Sequence, residues 1–199
     1  MQYEISIPLR YLLAARVFTP KNDTRPQLNG VAIDEEYVFG TDGTVLGAIR
    51  LHLVDPTVPG VIIPNDAIDY FAKKAKASSL KDVTIQWGED QGVLTNGVAT
   101  ENFKPVEGKP VPFKRVIPGN SKPEGHIQFQ AELLLKFEKA ATLLGAKKGF
   151  NHAFVLPNGD GQPARVVLPG YPEFTGVLCP LRHERVEKEL NELMMEDLV

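Results

Sequence analysis

The sequence predicts an α+β fold in which a unit of strand, helix and three further strands recurs, with the helices on one side of antiparallel sheets. Three observations carry this expectation. Short alternating runs such as Tyr3-Glu4-Ile5-Ser6-Ile7 and Val83-Thr84-Ile85-Gln86-Trp87 have the period of half-buried strands. Segments with apolar residues at helical spacing follow an opening strand near residues 9, 66 and 131. Turn-forming groups, Thr41-Asp42-Gly43, Asn96-Gly97 and Asn158-Gly159-Asp160-Gly161, then punctuate the chain after each helix. A recurring period dictates architecture, so these observations outrank any single element.

Unit one opens with the strand at 3–7. Pro8 stands at a helix start, where its missing N–H costs nothing, and Leu9 to Phe18 reads as a short helix with Leu9, Leu12, Leu13 and Val17 on one face. Strands are expected near 28–33, 36–41 and 44–53. Unit two opens at Gly60-Val61-Ile62-Ile63-Pro64. Asn65 is a candidate N-cap for a helix from Asp66 to about Ala77, with Ile68, Phe71, Ala72 and Ala75 as its apolar stripe. Val83–Trp87 is a strand, Gly92 and Asn96-Gly97 are expected as hairpin turns, and Val98 to Phe103 is the last strand. Residues 104–125 are rich in Pro and Gly and read as a link. Unit three opens at His126–Gln130. Its helix runs from Ala131 to about Leu144, carries Leu134, Leu135, Phe137 and Ala141, and is ended by Gly145. Strands are expected near 152–156, 164–168 and 174–180. From His183 to Val199, Val186, Leu190, Leu193, Met194 and Leu198 fall at helical spacing among glutamates, an amphipathic pattern for a helix that caps its own chain or meets a partner.

Composition narrows the function classes. A hydrophobic content of 43% over 199 residues supports a buried core. The 22 Lys and Arg against 25 Asp and Glu give a net charge of −3, which argues against a protein that simply coats nucleic acid but leaves room for a basic stripe on an acidic body. The single cysteine, Cys179, excludes an intrachain disulfide framework and fits a reducing cytoplasm. Arg10 interrupts the N-terminal apolar run and no cleavage site follows, so no signal peptide is expected, and no run is long enough for a membrane span. The histidines, His52, His126, His152 and His183, have no metal spacing. Asp160 lies in a turn too short for a calcium loop, no phosphate loop is present, and Cys179 beside Pro180 reads as a small core residue. No enzyme activity, cofactor or metal is expected.

Three segments are more specific: Asn29-Gly30-Val31-Ala32-Ile33 with Val38-Phe39-Gly40-Thr41-Asp42-Gly43-Thr44-Val45-Leu46, then Pro112-Phe113-Lys114-Arg115-Val116-Ile117-Pro118, then Gly176-Val177-Leu178-Cys179-Pro180-Leu181-Arg182. In order and spacing they resemble the bacterial DNA polymerase III beta sliding clamp (DNA clamp) family, of which the chain looks like a short or divergent member. The family's corresponding segments are Asn-Gly-Val/Leu, Ala-Thr-Asp-Gly, Gly-Lys-Phe-Pro-x-x-Arg-x-Val-Ile-Pro and Met-Pro-Met-Arg. The resemblance covers about residues 1–182. It implies a complete two-unit domain over 1–118 (units at about 1–55 and 60–118), half a domain over 119–182, and a C-terminal amphipathic helix over 183–199 outside the family pattern. A family ring of six two-unit domains would need four such chains.

The resemblance implies two sites. A sliding ring reads phosphates rather than bases, through Lys and Arg. The basic candidates are Arg10, Arg16, Lys21 and Arg25 around the first helix; Lys73, Lys74 and Lys76 on the second; and Lys136, Lys139, Lys147 and Lys148 on and after the third. Equally, such lysines form ordinary solvated helix faces. The second site is a pocket for a short linear motif, implied at Thr41, Gly43, Val45 and Leu46, at Pro112, Arg115 and Val116, and at Val177, Cys179, Pro180, Leu181 and Arg182. Two departures stand out: Thr44 replaces the family's basic residue, and Cys179-Pro180-Leu181 replaces Met-Pro-Met. The implied function is a sliding clamp or clamp-like processivity factor in the cytoplasm. It would bind double-stranded DNA without sequence preference, tether a DNA polymerase or other clamp-motif protein, and self-associate as a homo-oligomer, with no membrane partner. The alternative is a non-ring clamp-fold protein that binds clamp-motif peptides or competes with a host clamp.

Overall fold

The computed structural model describes residues 2–52, 58–76, 81–119, 128–159 and 161–181. Unit one contributes β1 (Tyr3–Pro8), α1 (Leu9–Arg16), β2 (Gly30–Asp34), β3 (Tyr37–Thr41) and β4 (Val45–Arg50). Unit two contributes β5 (Val61–Pro64), α2 (Asn65–Ala75), β6 (Asp82–Trp87), β7 (Gly92–Thr95) and β8 (Thr100–Phe103). Unit three contributes α3 (Ala131–Leu144), β9 (Phe154–Leu156), β10 (Ala164–Val167) and β11 (Phe174–Leu178). Two short 3₁₀ turns, Pro26–Leu28 and Phe113–Val116, complete the described elements.

The units interlock. Every strand pair is antiparallel, and the sheets run β1-β6-β7-β8 and β5-β2-β3-β4-β11-β10-β9. The first strand of unit one therefore pairs with unit two (Tyr3 opposite Trp87), and the first strand of unit two pairs with unit one (Gly30 opposite Pro64). Unit three joins through β4 and β11, with Leu46 opposite Val177 and Val45 opposite Leu178. Although unit three follows unit two in sequence, it extends the sheet of unit one.

The larger core lies between sheets and helices and includes Leu12, Phe18, Ile49, Phe71, Ile85 and Phe137. At its centre Phe18 meets Phe137 (5.1 Å between ring centroids) and Phe174 (6.0 Å), which ties α1 to unit three. Helix α1 is set directly on sheet backbone. Gly40 and Gly47 face each other in the β3–β4 ladder. A Cβ on Gly40 would lie 2.2 Å from the Ala15 carbonyl oxygen, and one on Gly47 would lie 2.2 Å from the Phe18 ring. A second, smaller cluster covers the opposite face of the long sheet: Ala32, Phe39, Leu46, Ala48, Ile62 and Val177, closed by Phe113.

Several expectations are corrected. Helix α1 ends at Arg16 rather than Phe18, and its core face is Leu12, Ala14 and Ala15, with Leu9, Leu13 and Val17 only half-buried. Asn65 does not cap α2; Pro64 holds that position. Asn65 is instead buried, accepting from Thr19 Oγ1 (2.8 Å) and donating to the Pro20 carbonyl (2.9 Å). Gly92 opens β7 rather than a turn; a Cβ there would meet the Phe103 ring at 2.3 Å. Strand β8 begins at Thr100, leaving Val98 exposed. The stretch 104–119 is more than a link: Val106 N–H donates to Ile62 O (2.9 Å), and Phe113 packs on Phe39. On α3, Leu134 and Leu135 are exposed, and Leu133, Phe137, Ala140, Ala141 and Leu144 face the core. Gln128–Gln130 form no strand. In units one and two the opening strand is received by the companion unit, and none is present among the described residues to receive this one. His126, Ile127, Asp160, Arg182 and the segment 183–199 lie outside the described residues.

Candidate nucleic-acid and peptide interfaces

The three helices adjoin along one side of the core. Arg16 of α1 bridges to Asp69 of α2 (2.8 Å) and also donates to Thr19 Oγ1 (2.9 Å). Helices α1 and α3 run in opposite directions. Leu9 and Arg10 share a cleft with Leu143, Leu144 and Gly145, and Arg16 and Lys21 share another of about 560 Å³ with Lys136 and Lys139. Four of the predicted cations, from two units, thus line one cleft, with Asp69 the acidic residue on its wall. Lys73 and Lys76 follow Asp69 on the same stripe of α2, at four and seven residues' spacing. Lys74 turns to the other flank and pairs with Glu101 (2.5 Å).

The predicted cations differ in what already holds them. Arg25 clasps Asp23 through Nε and Nη2 (both 2.9 Å), and Nη2 also reaches the Asp42 carbonyl (3.1 Å). That clasp, a side-chain hydrogen bond first, lowers the Asp23 carboxyl to about 2. Lys136 donates to Asp42 Oδ2 (2.6 Å). Arg25 and Lys136 therefore brace the Thr-Asp-Gly turn. Arg10 and Lys73 lie over the rings of Tyr11 and Tyr70, each at 5.4 Å. Arg10, Lys21, Lys73, Lys76, Lys139, Lys147 and Lys148 are exposed, and none of them forms an ion pair among the described residues.

The turn itself is built by local chemistry. Asp42 Oδ1 accepts from Thr44 N (2.9 Å), Thr44 Oγ1 (2.7 Å) and Val45 N (3.0 Å), an Asx arrangement that leaves the φ of +94° to Gly43. Burial is the largest single influence on Asp42 and raises its pKa. The bonds from Lys136, Thr44 and Val45 together outweigh it, so the carboxyl titrates below its ordinary value. Thr41 Oγ1 donates to the Val45 carbonyl (2.8 Å).

Around this turn the structure brings some of the residues predicted for the pocket side by side. Thr41, Leu46 and Val177 stand side by side across β3, β4 and β11. Leu46 and Val177 belong to the smaller cluster, both buried. Cys179 N–H donates to the Thr44 carbonyl (2.8 Å), extending the ladder, and Leu181 N–H donates to the Gln128 carbonyl (2.9 Å). Burial, aided by the Asp42 charge, pushes the half-buried Cys179 thiol up, away from nucleophilic use. Pro180 and Leu181 are half-exposed beside it.

Not every predicted wall residue converges. Val45 points into the helix-side core, because neighbours along a strand face opposite sides, so it cannot line a cleft with Leu46. Pro112 and Arg115 border a cavity of about 300 Å³ with Asp34 and Glu35, at the end of β3 away from Thr41. Lys114 pairs with Glu35 there, and burial raises the Asp34 carboxyl. Val116 is half-exposed, and the next residue, Ile117, packs against the smaller cluster. Phe113, which the sequence reading did not single out, holds this segment in place. Its ring lies 4.3 Å from that of Phe39 and 5.2 Å from that of Tyr37, and it fastens the Arg-Val-Ile-Pro segment to the sheet. An aromatic inside a Pro-rich stretch was the available signal. Among the described residues no cluster of His, Cys, Asp or Glu could hold a metal, and no helix is long and apolar enough to cross a membrane.

Interlocked units whose antiparallel sheets back a run of helices define the DNA-clamp fold. Comparison with solved structures agrees: the fold is that of bacterial DNA polymerase III beta sliding clamps. The Pseudomonas aeruginosa beta subunit superposes with a TM-score of 0.68 at 17% identity, over 91% of this chain and 67% of that one. The clamp of Bartonella birtlesii bound to griselimycin gives 0.69 at 18% identity, over 91% and 66%. The Bacillus subtilis clamp gives 0.64 at 18%, over 90% and 64%. The chain thus spans about two thirds of the length of these clamps. No protein-family model matches the chain, and no curated protein matches it by sequence.

Proposed function

We propose that the protein is a DNA sliding clamp or clamp-like processivity factor, non-enzymatic, acting on double-stranded DNA in the cytoplasm. The observation that carries this reading is the α1–α3 cleft, where Arg16, Lys21, Lys136 and Lys139 from two units converge on a clamp fold. Charge without base-reading groups suits a contact that must slide. Retention on closed circular duplex with loss on linearisation is the expected behaviour; equal retention on both sinks the clamp reading. Removing Lys21, Lys73, Lys76 and Lys139 together should flatten the salt dependence, by about 0.9 in log–log slope for each phosphate that is no longer neutralised.

The second element of the reading is a peptide site on the outer sheet face, bordered by Thr41, Gly43, Leu46, Val116, Val177, Cys179, Pro180 and Leu181, with Arg182 adjoining in sequence, that tethers a polymerase or other clamp-motif protein. Val116→Asp tests it cleanly because Val116 is 50% exposed and its loss should spare the fold. Peptide affinity should fall at least tenfold with unchanged melting; unchanged affinity puts the site elsewhere.

The third element is assembly. Residues 1–118 make one complete domain in which two units exchange opening strands, and 119–182 make half of one. Unit three exposes Leu134 and Leu135 on α3 and Phe154 on β9, the strand that ends its sheet among the described residues. A second copy of unit three would supply the missing companion across a twofold axis, giving a homo-oligomer.

A further inference from the structure

A separate patch lies at the far end of the α1–α3 seam. Helix α3 stops at Gly145, whose φ is +118°, and the chain continues Lys147, Lys148, Gly149, Phe150. Phe150 is 69% exposed, an unusual state for a large ring in a chain that buries seven of its ten phenylalanines. It borders a cleft of about 420 Å³ with Ala146, Lys147, Pro169, Gly170 and Tyr171. The Gly170 side of this cleft is open: nothing lies within 4 Å of where a Cβ would stand on Gly149 or Gly170. Lys147 and Lys148 are exposed and have no acidic partner among the described residues. Gly145 also lines the neighbouring cleft with Arg10, and Leu13 and Leu143 carry that cleft into the one holding Arg16, Lys21, Lys136 and Lys139. One groove thus runs from a mainly cationic stretch, with Asp69 on its wall, to a stretch that adds an exposed ring.

The chemistry of the two ends differs. Duplex DNA hides its base faces, so cations alone suit it. A single strand offers both phosphates and free base faces, and proteins hold it with cations beside an aromatic platform. We propose that Phe150, with Lys147 and Lys148, forms a stacking site for single-stranded nucleic acid at the end of the seam. The charge of the two lysines complements the backbone, the ring supplies the stacking surface, and Tyr171 walls the cleft. The site rests on the proposed DNA contact of the seam and extends it to a junction between duplex and unpaired strand.

The test measures a fluorescent oligo-dT of about 15 nucleotides, within the size range of such sites, against a blunt duplex of equal length. Phe150→Ala should weaken oligo-dT binding on the order of tenfold and leave duplex binding unchanged, while Phe150→Trp should restore it. Lys147→Ala with Lys148→Ala should flatten the oligo-dT salt slope by about 0.7 for each phosphate released from a lysine. Equal oligo-dT affinity for parent and Phe150→Ala overturns the site. So does a Phe150→Ala effect confined to solution mass, which would make the ring a protein contact. A duplex that binds nowhere on the seam, with oligo-dT still sensitive to Phe150, defeats the clamp reading and leaves this site standing.

Discussion

Units one and two cover each other, whereas among the described residues unit three is covered on one side only. In the first pair each helix faces a companion, each opening strand enters the other's sheet, and the Arg16–Asp69 bridge spans the seam. Among the described residues unit three has the same helix and three strands in the same order but no opening strand, and its inner side is well packed. Phe137 is wholly buried, 5.1 Å from Phe18 and 6.3 Å from Phe174, and a Cβ on Gly176 would meet its ring at 2.4 Å. Its outer side carries Leu135, 61% exposed, and Phe154, 57% exposed. The lesson is that a repeat whose pattern is legible in sequence can still leave one side open among the described residues.

The sharpest way to break the comparison is to cut unit three loose from unit one. Phe137→Ala leaves a cavity where three aromatic rings meet, and a buried Phe-to-Ala change costs about 3–5 kcal/mol. Urea unfolding should report that loss. Leu135→Ala, on the same helix but on its open side, should stay within about 0.5 kcal/mol in a monomer. Equal costs at the two positions would show that the outer side of α3 is covered in solution.

The complementary experiment asks what covers it. Leu135→Glu with Phe154→Thr leaves the buried core intact and places polar groups on the open side. Light scattering should then give a lower mass than the parent if unit three pairs with its copy. A parent that is monomeric well above micromolar concentration removes both the shared domain and the ring.

How far the sequence carried this picture depended on the kind of signal. The strand-helix-three-strand order was legible because period-two and helical patterns are local. The Gly145 stop was legible for the same reason, and its N–H closes on Ala141 and Thr142 as a left-handed cap requires. Packing direction was less so. Leu134 and Leu135 outrank Ala140 as apolar residues, yet the angular position of Phe137 sets the buried face, and Leu134 and Leu135 fall outside it. The close seat of α1 was written in Gly40 and Gly47, since strand glycines mark close backbone approach, but nothing local says which element approaches. For the candidate site, the segments that join around the turn, Thr41 to Leu46 and Val177 to Leu181, came from motif order. The displacement of Val45 to the other face follows from strand pleat, which a motif does not encode. Lys136 read as a free cation because its partner, Asp42, is 94 residues away, whereas the Arg25–Asp23 pair, two residues apart, was there to be read.

Asp42 provides the smallest and most specific test, because its ion pair with Lys136 is a charged tie between the paired region and unit three. Its carboxylate accepts from Lys136 on α3 while its other oxygen shapes the turn that meets β11. A carboxyl whose folded pKa is depressed contributes stability that is fully present above its unfolded pKa, near 3.9, and is lost as pH falls through the folded value. Asp42→Asn keeps an oxygen for Thr44 and Val45 but removes the charge that Lys136 meets. At neutral pH the variant should be less stable by roughly 1 kcal/mol, since the pair is partly solvent-screened. Hydrogen exchange should quicken in β11 and α3 more than in β1 and β6. As pH falls through the depressed folded value the parent loses the same charge, and the two proteins should converge. A gap that persists into acid would mean that the turn geometry, rather than the ion pair with Lys136, holds unit three against unit one.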